Sequence, residues 1–241
     1  MSHHWYEAGH VAIVTGASRG LGRALARALL GHRVRVVVDA RDTAALEDAR
    51  ADLARFGDVV AIAGDVADSA HAHALVDAAH SFGRLDLLVN NASTLGTVPL
   101  PPLAELAPDV LRTVFDVNVA APLHLIRHAL PLLRRADPGT IVNVTSDAAV
   151  EAYPGWGGYG ASKAALEALS RVLALELHGS NVRVLVADPG EMDTRMHRDA
   201  VPDADPRDLR DPADSARFVL EAIATMDGAF ARVVAPARTP A

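Results

Sequence analysis

Tyr159 and Lys163, in the stretch GYGASKAALEALS, lie four residues apart at the start of an apolar helical pattern. That spacing puts two side chains on one helix face, so a phenol and an ammonium can share a site. A free phenol titrates at about pH 10, too high for acid–base work at neutral pH, and a neighbouring cation favours its ionised form. The pair therefore offers general acid–base transfer. Lys163 is the only lysine; the other 22 of the 23 basic residues are arginine. A compact ammonium on a flexible stem suits this task, and a planar guanidinium would not replace it cleanly. Ser146 ends the run GTIVNVTS, at the edge where the next helix starts, so its hydroxyl can hold a substrate oxygen beside the phenol. Asn118, in FDVNVAAP, is a polar residue on an apolar helix face, either a structural anchor or a water-holding relay group.

A second constellation suits phosphate. The run HVAIV leads into TGASRGLG, with Gly16, Gly20 and Gly22 at the turn and Leu21 opening the helix. Glycines let a pyrophosphate approach the backbone, and a helix N-terminus supplies unpaired N–H groups and partial positive charge. Ser18 and Arg19 can add a hydroxyl and a guanidinium. The next strand ends VVVDARD, where an acid selects a ribose 2′-hydroxyl and a base selects a 2′-phosphate; Asp39 and Arg41 make the signal mixed. Asp65 and Val66 stand at the tip of a third strand as a polar contact and an apolar wall for adenine. Asn90 and Asn91 reach the same carboxyl edge from a fourth.

The elements that carry these residues alternate. Strands are expected at 10–15, 34–38, 58–64, 85–91, 139–146, 181–187 and 230–235. Helices are expected at about 21–30, 43–55, 69–82, 108–135, 156–178 and 213–226. This order calls for an α/β fold with a parallel sheet covered on both faces, in one domain over 1–241. Residues 189–211, dense in Pro and Asp, read as the only long irregular segment and as a lid that sets substrate choice.

The chain has 241 residues, half of them hydrophobic and 4% aromatic, with a formal charge of −7 in which acids and arginines are interspersed. That balance argues against nucleic acid or an anionic membrane as partner. With no cysteine there is no disulfide, thiolate metal site or cysteine nucleophile. The polar start MSHHWYEAGH lacks a signal-peptide core, which makes a cytoplasmic location the expectation.

TGASRGLG, NNAS, DVNV, VTS thirteen residues before the tyrosine, YGASK and DPGEMDT occur in an order that resembles the short-chain dehydrogenase/reductase family over about residues 10–235. The resemblance implies a Rossmann-like, doubly wound parallel sheet of order 3-2-1-4-5-6-7 in a three-layer α/β/α arrangement, with a nicotinamide cofactor. It implies a catalytic set of Asn118, Ser146, Tyr159 and Lys163: Ser146 orients the substrate oxygen, Tyr159 exchanges its proton, Lys163 lowers the tyrosine pKa and holds the nicotinamide ribose, and Asn118 supports a relay water. It adds Asn91 and Ala92 near the cofactor, Pro189 and Gly190 beside the nicotinamide, and Thr194 at its carboxamide or the pyrophosphate. Alignment with the family puts Ala40 where an NAD-selecting acid would stand and matches Arg41 and Arg19 to 2′-phosphate contacts, which favours NADP(H) while Asp39 keeps NAD(H) possible. A homodimer or homotetramer is implied too. Ser93 replaces the glycine of NNAG and is expected to shift cofactor contacts at that turn, and the ending PARTPA lacks the family's glycine-rich close.

His71, His73 and His80 read as a solvated face with no metal site, and His124 and His128 as interfacial. Trp156 is a pocket wall or a core residue. Asp147, Glu151 and Glu191 are expected to rim the pocket and to favour a neutral or cationic substrate. The expected activity is interconversion of a ketone or aldehyde and an alcohol on a small to medium substrate. A catalytically silent dinucleotide sensor, or an epimerase or dehydratase, are the alternatives.

Overall fold

The computed structural model describes residues 8–236; the N-terminal stretch before Ala8 and the last five residues of PARTPA lie outside it. Seven parallel strands form one sheet of order β3-β2-β1-β4-β5-β6-β7. They are β1 (Val11–Val14), β2 (Arg35–Ala40), β3 (Val59–Ala63), β4 (Leu87–Asn90), β5 (Gly139–Val144), β6 (Val182–Asp188) and β7 (Phe230–Val234). Central strands are apolar at successive positions because both faces are covered. Ala12 and Val14 of β1 pack with Leu25 of α1 (Gly20–Gly31) and Val219 of α8 (Pro212–Thr225). Val11 and Ile13 pack on the other face with Leu75 of α3 (Ser69–Ser81) and Ile126 of α5 (Ala121–Leu133). Strand order reverses between β1 and β4, which opens a crevice at their carboxyl ends.

Helix starts follow the sequence chemistry. Asp42, Asp68 and Asp211 cap α2 (Thr43–Leu53), α3 and α8 by accepting from the N–H of Ala45, Ala70 and Ala213, each cap contributing about 1 kcal/mol. At α1 the capping position is Arg19, whose side chain makes no capping bond. Its first-turn N–H groups therefore have no side-chain acceptor and face the crevice as an anion site.

Two expectations are corrected. The helix expected over 108–135 is α4 (Pro108–Phe115), a π-helical turn (Asp116–Ala120) and α5. Pro122 has no N–H to give the Asn118 carbonyl, so the α-helical ladder is interrupted where the wider turn forms. Residues 189–211 are also not alone in being irregular. Residues 91–107, with Pro99, Pro101 and Pro102, carry only a short 3₁₀ turn (Leu103–Glu105), while 189–211 contains α7 (Arg195–Ala200) and a bridge from Met192 to Arg210. Both segments flank the crevice.

Candidate active site

A cleft of about 790 Å³ runs along the carboxyl edge of the sheet. Of the predicted site residues, Gly16, Ser18, Arg19, Gly20, Leu21, Asp39, Arg41, Asp65, Val66, Asn91, Ala92, Ser146, Tyr159, Lys163, Pro189, Gly190 and Thr194 line it; Gly22 and Asn118 sit behind its wall.

The glycine turn is built for close approach. A Cβ on Gly22 would lie 2.5 Å from the Gly16 carbonyl oxygen, and one on Gly16, whose φ is +68°, would lie 2.9 Å from Ala92 Cα. Thr15 Oγ1 accepts from the N–H groups of Asn91 and Ala92, both at 3.0 Å, and Asn91 Nδ2 donates to the carbonyls of Thr15 (2.7 Å) and Gly16 (3.3 Å). The Asn91 amide thus braces the turn. Asn90 ends β4 at the carboxyl edge, as expected, but its side chain is buried and donates to Asn143 at 2.8 Å. Thr194 begins α7 and lies over Gly20, where an added Cβ would come within 3.3 Å of its Cγ2.

Asp39 departs furthest from its expected place. It is 1% exposed; Oδ1 accepts from the Gly16 N–H at 2.6 Å and Oδ2 from His71 Nε2 at 2.9 Å. His71 is itself buried, not part of a solvated face, and its ring fills the space a Cβ on Gly64 would need. His73, two residues on, is exposed and lies against His128, with ring centroids 3.7 Å apart and the rings tilted by 45°. Arg19 and Arg41 are exposed at the cleft, and their guanidinium groups form no ion pair among the described residues. Free helix N–H groups, a glycine turn and two unpaired cations beside it fit a pyrophosphate-bearing dinucleotide.

At the other end, α6 (Gly157–Glu176) delivers Tyr159 and Lys163, and β5 delivers Ser146. Gly160 lets α6 approach the 3₁₀ turn Asp147–Ala149: a Cβ there would meet the Ala148 carbonyl at 2.5 Å. Lys163 is 2% exposed and donates to the Val144 carbonyl at 2.9 Å, with Nζ 5.5 Å from the centre of the Tyr159 ring. Burial lowers its pKa to about 8, opposed by the Asp188 carboxylate. Tyr159 is buried too, and burial raises its pKa above the ordinary phenol value; hydrogen bonds with Ser93 and Ser146 pull it down, and the charges of Asp188 and Asp147 push it up. The phenol is therefore held protonated here. Lysine and tyrosine share the site as expected, but desolvation, not the ammonium, sets the direction of the shift.

The Asn118 side chain is fully engaged by protein groups. Oδ1 accepts from Ser93 Oγ (3.1 Å) and the Thr94 N–H (2.8 Å), while Nδ2 donates to the Thr94 carbonyl (2.9 Å) and Ser162 Oγ (3.0 Å). All the capacity of the side chain ties residues 93–94 to α6, so the side chain is an anchor. The Ser93 hydroxyl stands between Asn118 and the phenol, which places its effect at the Tyr159 end of the cleft. Ser146 donates to Asp147 Oδ1 at 2.8 Å, and Tyr153 OH donates to Asp147 Oδ2 at 2.8 Å. That bond, with the Asp147 charge, pushes the Tyr153 phenol up to about 12. Asp147 and Glu191 line the cleft, whereas Glu151 does not; Trp156 is a cleft wall, edge-on to Tyr159 at 5.6 Å between ring centres. Asp188, whose charge opposes the loss of the Lys163 proton, opens the DPGEMDT motif at the end of β6, but no sequence signal points it towards Lys163.

A model of the short chain dehydrogenase family matches residues 10–205. The chain is 40% identical over 215 residues to the rhamnolipids biosynthesis 3-oxoacyl-(acyl-carrier-protein) reductase of Pseudomonas aeruginosa, covering 87% of this chain and 81% of that one. It is 40% identical over 195 residues to the 1-deoxy-11-beta-hydroxypentalenate dehydrogenase of Streptomyces avermitilis, covering 79% and 71%. Among solved structures, the Pseudomonas aeruginosa RhlG/NADP active-site complex superposes with a TM-score of 0.83 at 33% identity, covering 97% of this chain and 98% of that one. The seven-stranded parallel sheet and the matched sequence lead to one conclusion: the chain belongs to the short-chain dehydrogenase/reductase family.

Proposed function

We propose that this protein is an NADP(H)-preferring oxidoreductase that interconverts a ketone or aldehyde and an alcohol on a small to medium organic substrate. The observation that carries the reading is the meeting of a buried Tyr159, Ser146 and a buried Lys163 in one cleft with a glycine turn. Gly16, Ser18, Gly20 and Leu21 would hold the pyrophosphate, with Gly22 letting the turn pack beneath them, Arg19 and Arg41 a 2′-phosphate, Asp65 and Val66 the adenine, and Pro189, Gly190 and Thr194 the nicotinamide end. When bound, the nicotinamide supplies or accepts the hydride.

The chain's own residues manage the oxygen and its proton. In reduction the Tyr159 O–H donates to the carbonyl oxygen; in oxidation the phenolate takes that proton back. Ser146 holds the same oxygen, for which its hydroxyl must leave Asp147. Lys163 keeps a positive charge under the ring and stabilises the phenolate that forms after donation. Asn118 acts by fixing the Ser93–Thr94 loop against α6. Carboxylates of Asp147 and Glu191 at the cleft disfavour an anionic substrate group. The names of both curated relatives describe carbonyl–hydroxyl interconversion, and the solved relative carries NADP, which supports the reading.

The test is a panel of neutral ketones and aldehydes with NADPH and NADH, following reduced cofactor and product together. Stoichiometric alcohol and NADPH loss are expected. Tight NADPH binding without oxidation by any carbonyl would favour a sensor, and product without net NADPH loss an epimerase or dehydratase.

A further inference from the structure

Three elements converge on one buried carboxylate behind the phosphate turn. Asp39 is the penultimate residue of β2, Gly16 follows β1, and His71 comes from the first turn of α3, 32 residues from Asp39 in sequence. The carboxylate can only accept, so His71 Nε2 carries the proton of the 2.9 Å bond, and the Gly16 N–H donates the other at 2.6 Å. Gly64 is small where the imidazole enters: a Cβ there would lie 2.2 Å from Nδ1. The Ala17 N–H donates to the Asp39 carbonyl at 2.9 Å, so main chain and side chain of this one residue both clamp the turn. Yet Asp39 still borders the cleft next to Arg41.

We propose that His71 is a positioning residue for cofactor selection: it pins the Asp39 carboxylate back against the Gly16 N–H, so that Arg19 and Arg41 alone address the ribose 2′ position. An acid at the end of β2 ordinarily selects a free 2′-hydroxyl. Here both of its oxygens are engaged in the wall. Without His71, Oδ2 becomes an unpaired buried anion, which is costly unless it turns towards water in the cleft. There its charge opposes a 2′-phosphate and cancels part of the field of Arg41. Selection of NADP(H) thus depends on a histidine in the wall behind the turn, which holds the acid out of the way. The inference rests on the dinucleotide reading given above.

The test measures dissociation constants of NADPH and NADH by titration calorimetry, with no substrate and no turnover. The wild type is expected to prefer NADPH. His71→Ala should lower the NADPH-to-NADH preference about tenfold or more, as expected for a released charge near a phosphate, chiefly by weakening NADPH. His71→Gln, whose amide N–H replaces Nε2–H, should keep the preference within about twofold. The decisive variant is His71→Ala with Asp39→Ala: with no carboxylate to release, the wild-type preference should return even where both affinities fall. A merely structural role for His71 predicts instead that the double variant is no better than His71→Ala. That result, or an unchanged preference in a folded His71→Ala, overturns the proposal and leaves the proposed function intact. Failure of the wild type to bind either dinucleotide overturns both.

Discussion

Burial works on both members of the Tyr159–Lys163 pair, in opposite senses, and each shift favours the neutral form. For Lys163 the sign has two measurable consequences. Its pKa falls to about 8, so the charge that supports a phenolate is present below about pH 8 and lost as pH rises through it. The free enzyme's kcat/KM should therefore fall on the alkaline side with a limb near pH 8, as measured in a pH–rate profile, while Tyr159 remains protonated across that range. Below that pH the fold also bears the cost of a buried ammonium, relieved as pH climbs towards the ordinary lysine range. Replacing it with an apolar side chain of similar length should remove that cost. Lys163→Met is expected to unfold about 1–3 kcal/mol less readily at pH 7 in a denaturant titration, with turnover lost. At this scale the tyrosine, the lysine and the glycines were legible because their types are scarce or conformationally special. The roles of Asp39, His71 and Ser93 were not. Strand parity limits which of Asp39, Ala40 and Arg41 can share a face but does not say which face meets the ribose. Nothing in the spacing joins His71 to a residue 32 positions away, and Ser93 is read only once the Asn118 amide is placed.

At the scale of elements, the site depends on how closely α6 and the glycine turn approach their neighbours. Gly160 has helical backbone, where alanine would ordinarily be favoured by about 1 kcal/mol; the contact of its absent Cβ with the Ala148 carbonyl reverses that preference. Gly160→Ala should lower stability by about 1–3 kcal/mol through overpacking and reduce kcat by moving the turn that follows Ser146. Gly31→Ala, at the end of α1 with nothing within 4 Å of the place its methyl group would take, is the control: it should raise stability by up to about 1 kcal/mol and leave kcat unchanged. Thermal unfolding with a parallel rate assay distinguishes them. Strand and helix order was legible because each element carries a strong apolar period. The π turn was not, since a polar Asn118 and a proline nearly four turns into an apolar helix fit a continuous helix by pattern; the missing Pro122 donor decides otherwise. Residues 91–107 are hard to read for a related reason, having no period to contradict.

Across the whole molecule, the exposed apolar surface is unevenly placed. Leu169, Val172 and Leu175 form a stripe along α6 and are 39%, 51% and 77% exposed. The homodimer or homotetramer expected from the family resemblance would bury this face. Light scattering should return an integral multiple of the chain mass, and a monomer at micromolar concentration would contradict this. The chain's acidic balance and the sheet's two covered faces were legible from composition and alternation, whereas the depth of the cleft depends on 91–107 and 189–211, whose paths no periodicity encodes. On the proposed function, all levels serve one act, the delivery of a proton from a buried phenol to a substrate oxygen. Tyr159→Phe removes that proton and little else. With a carbonyl substrate and NADPH, kcat should drop by about 10²–10⁴ while calorimetry finds NADPH bound as in the wild type; a Tyr159→Phe enzyme that turns over at the wild-type rate would contradict the assignment of Tyr159 as the acid.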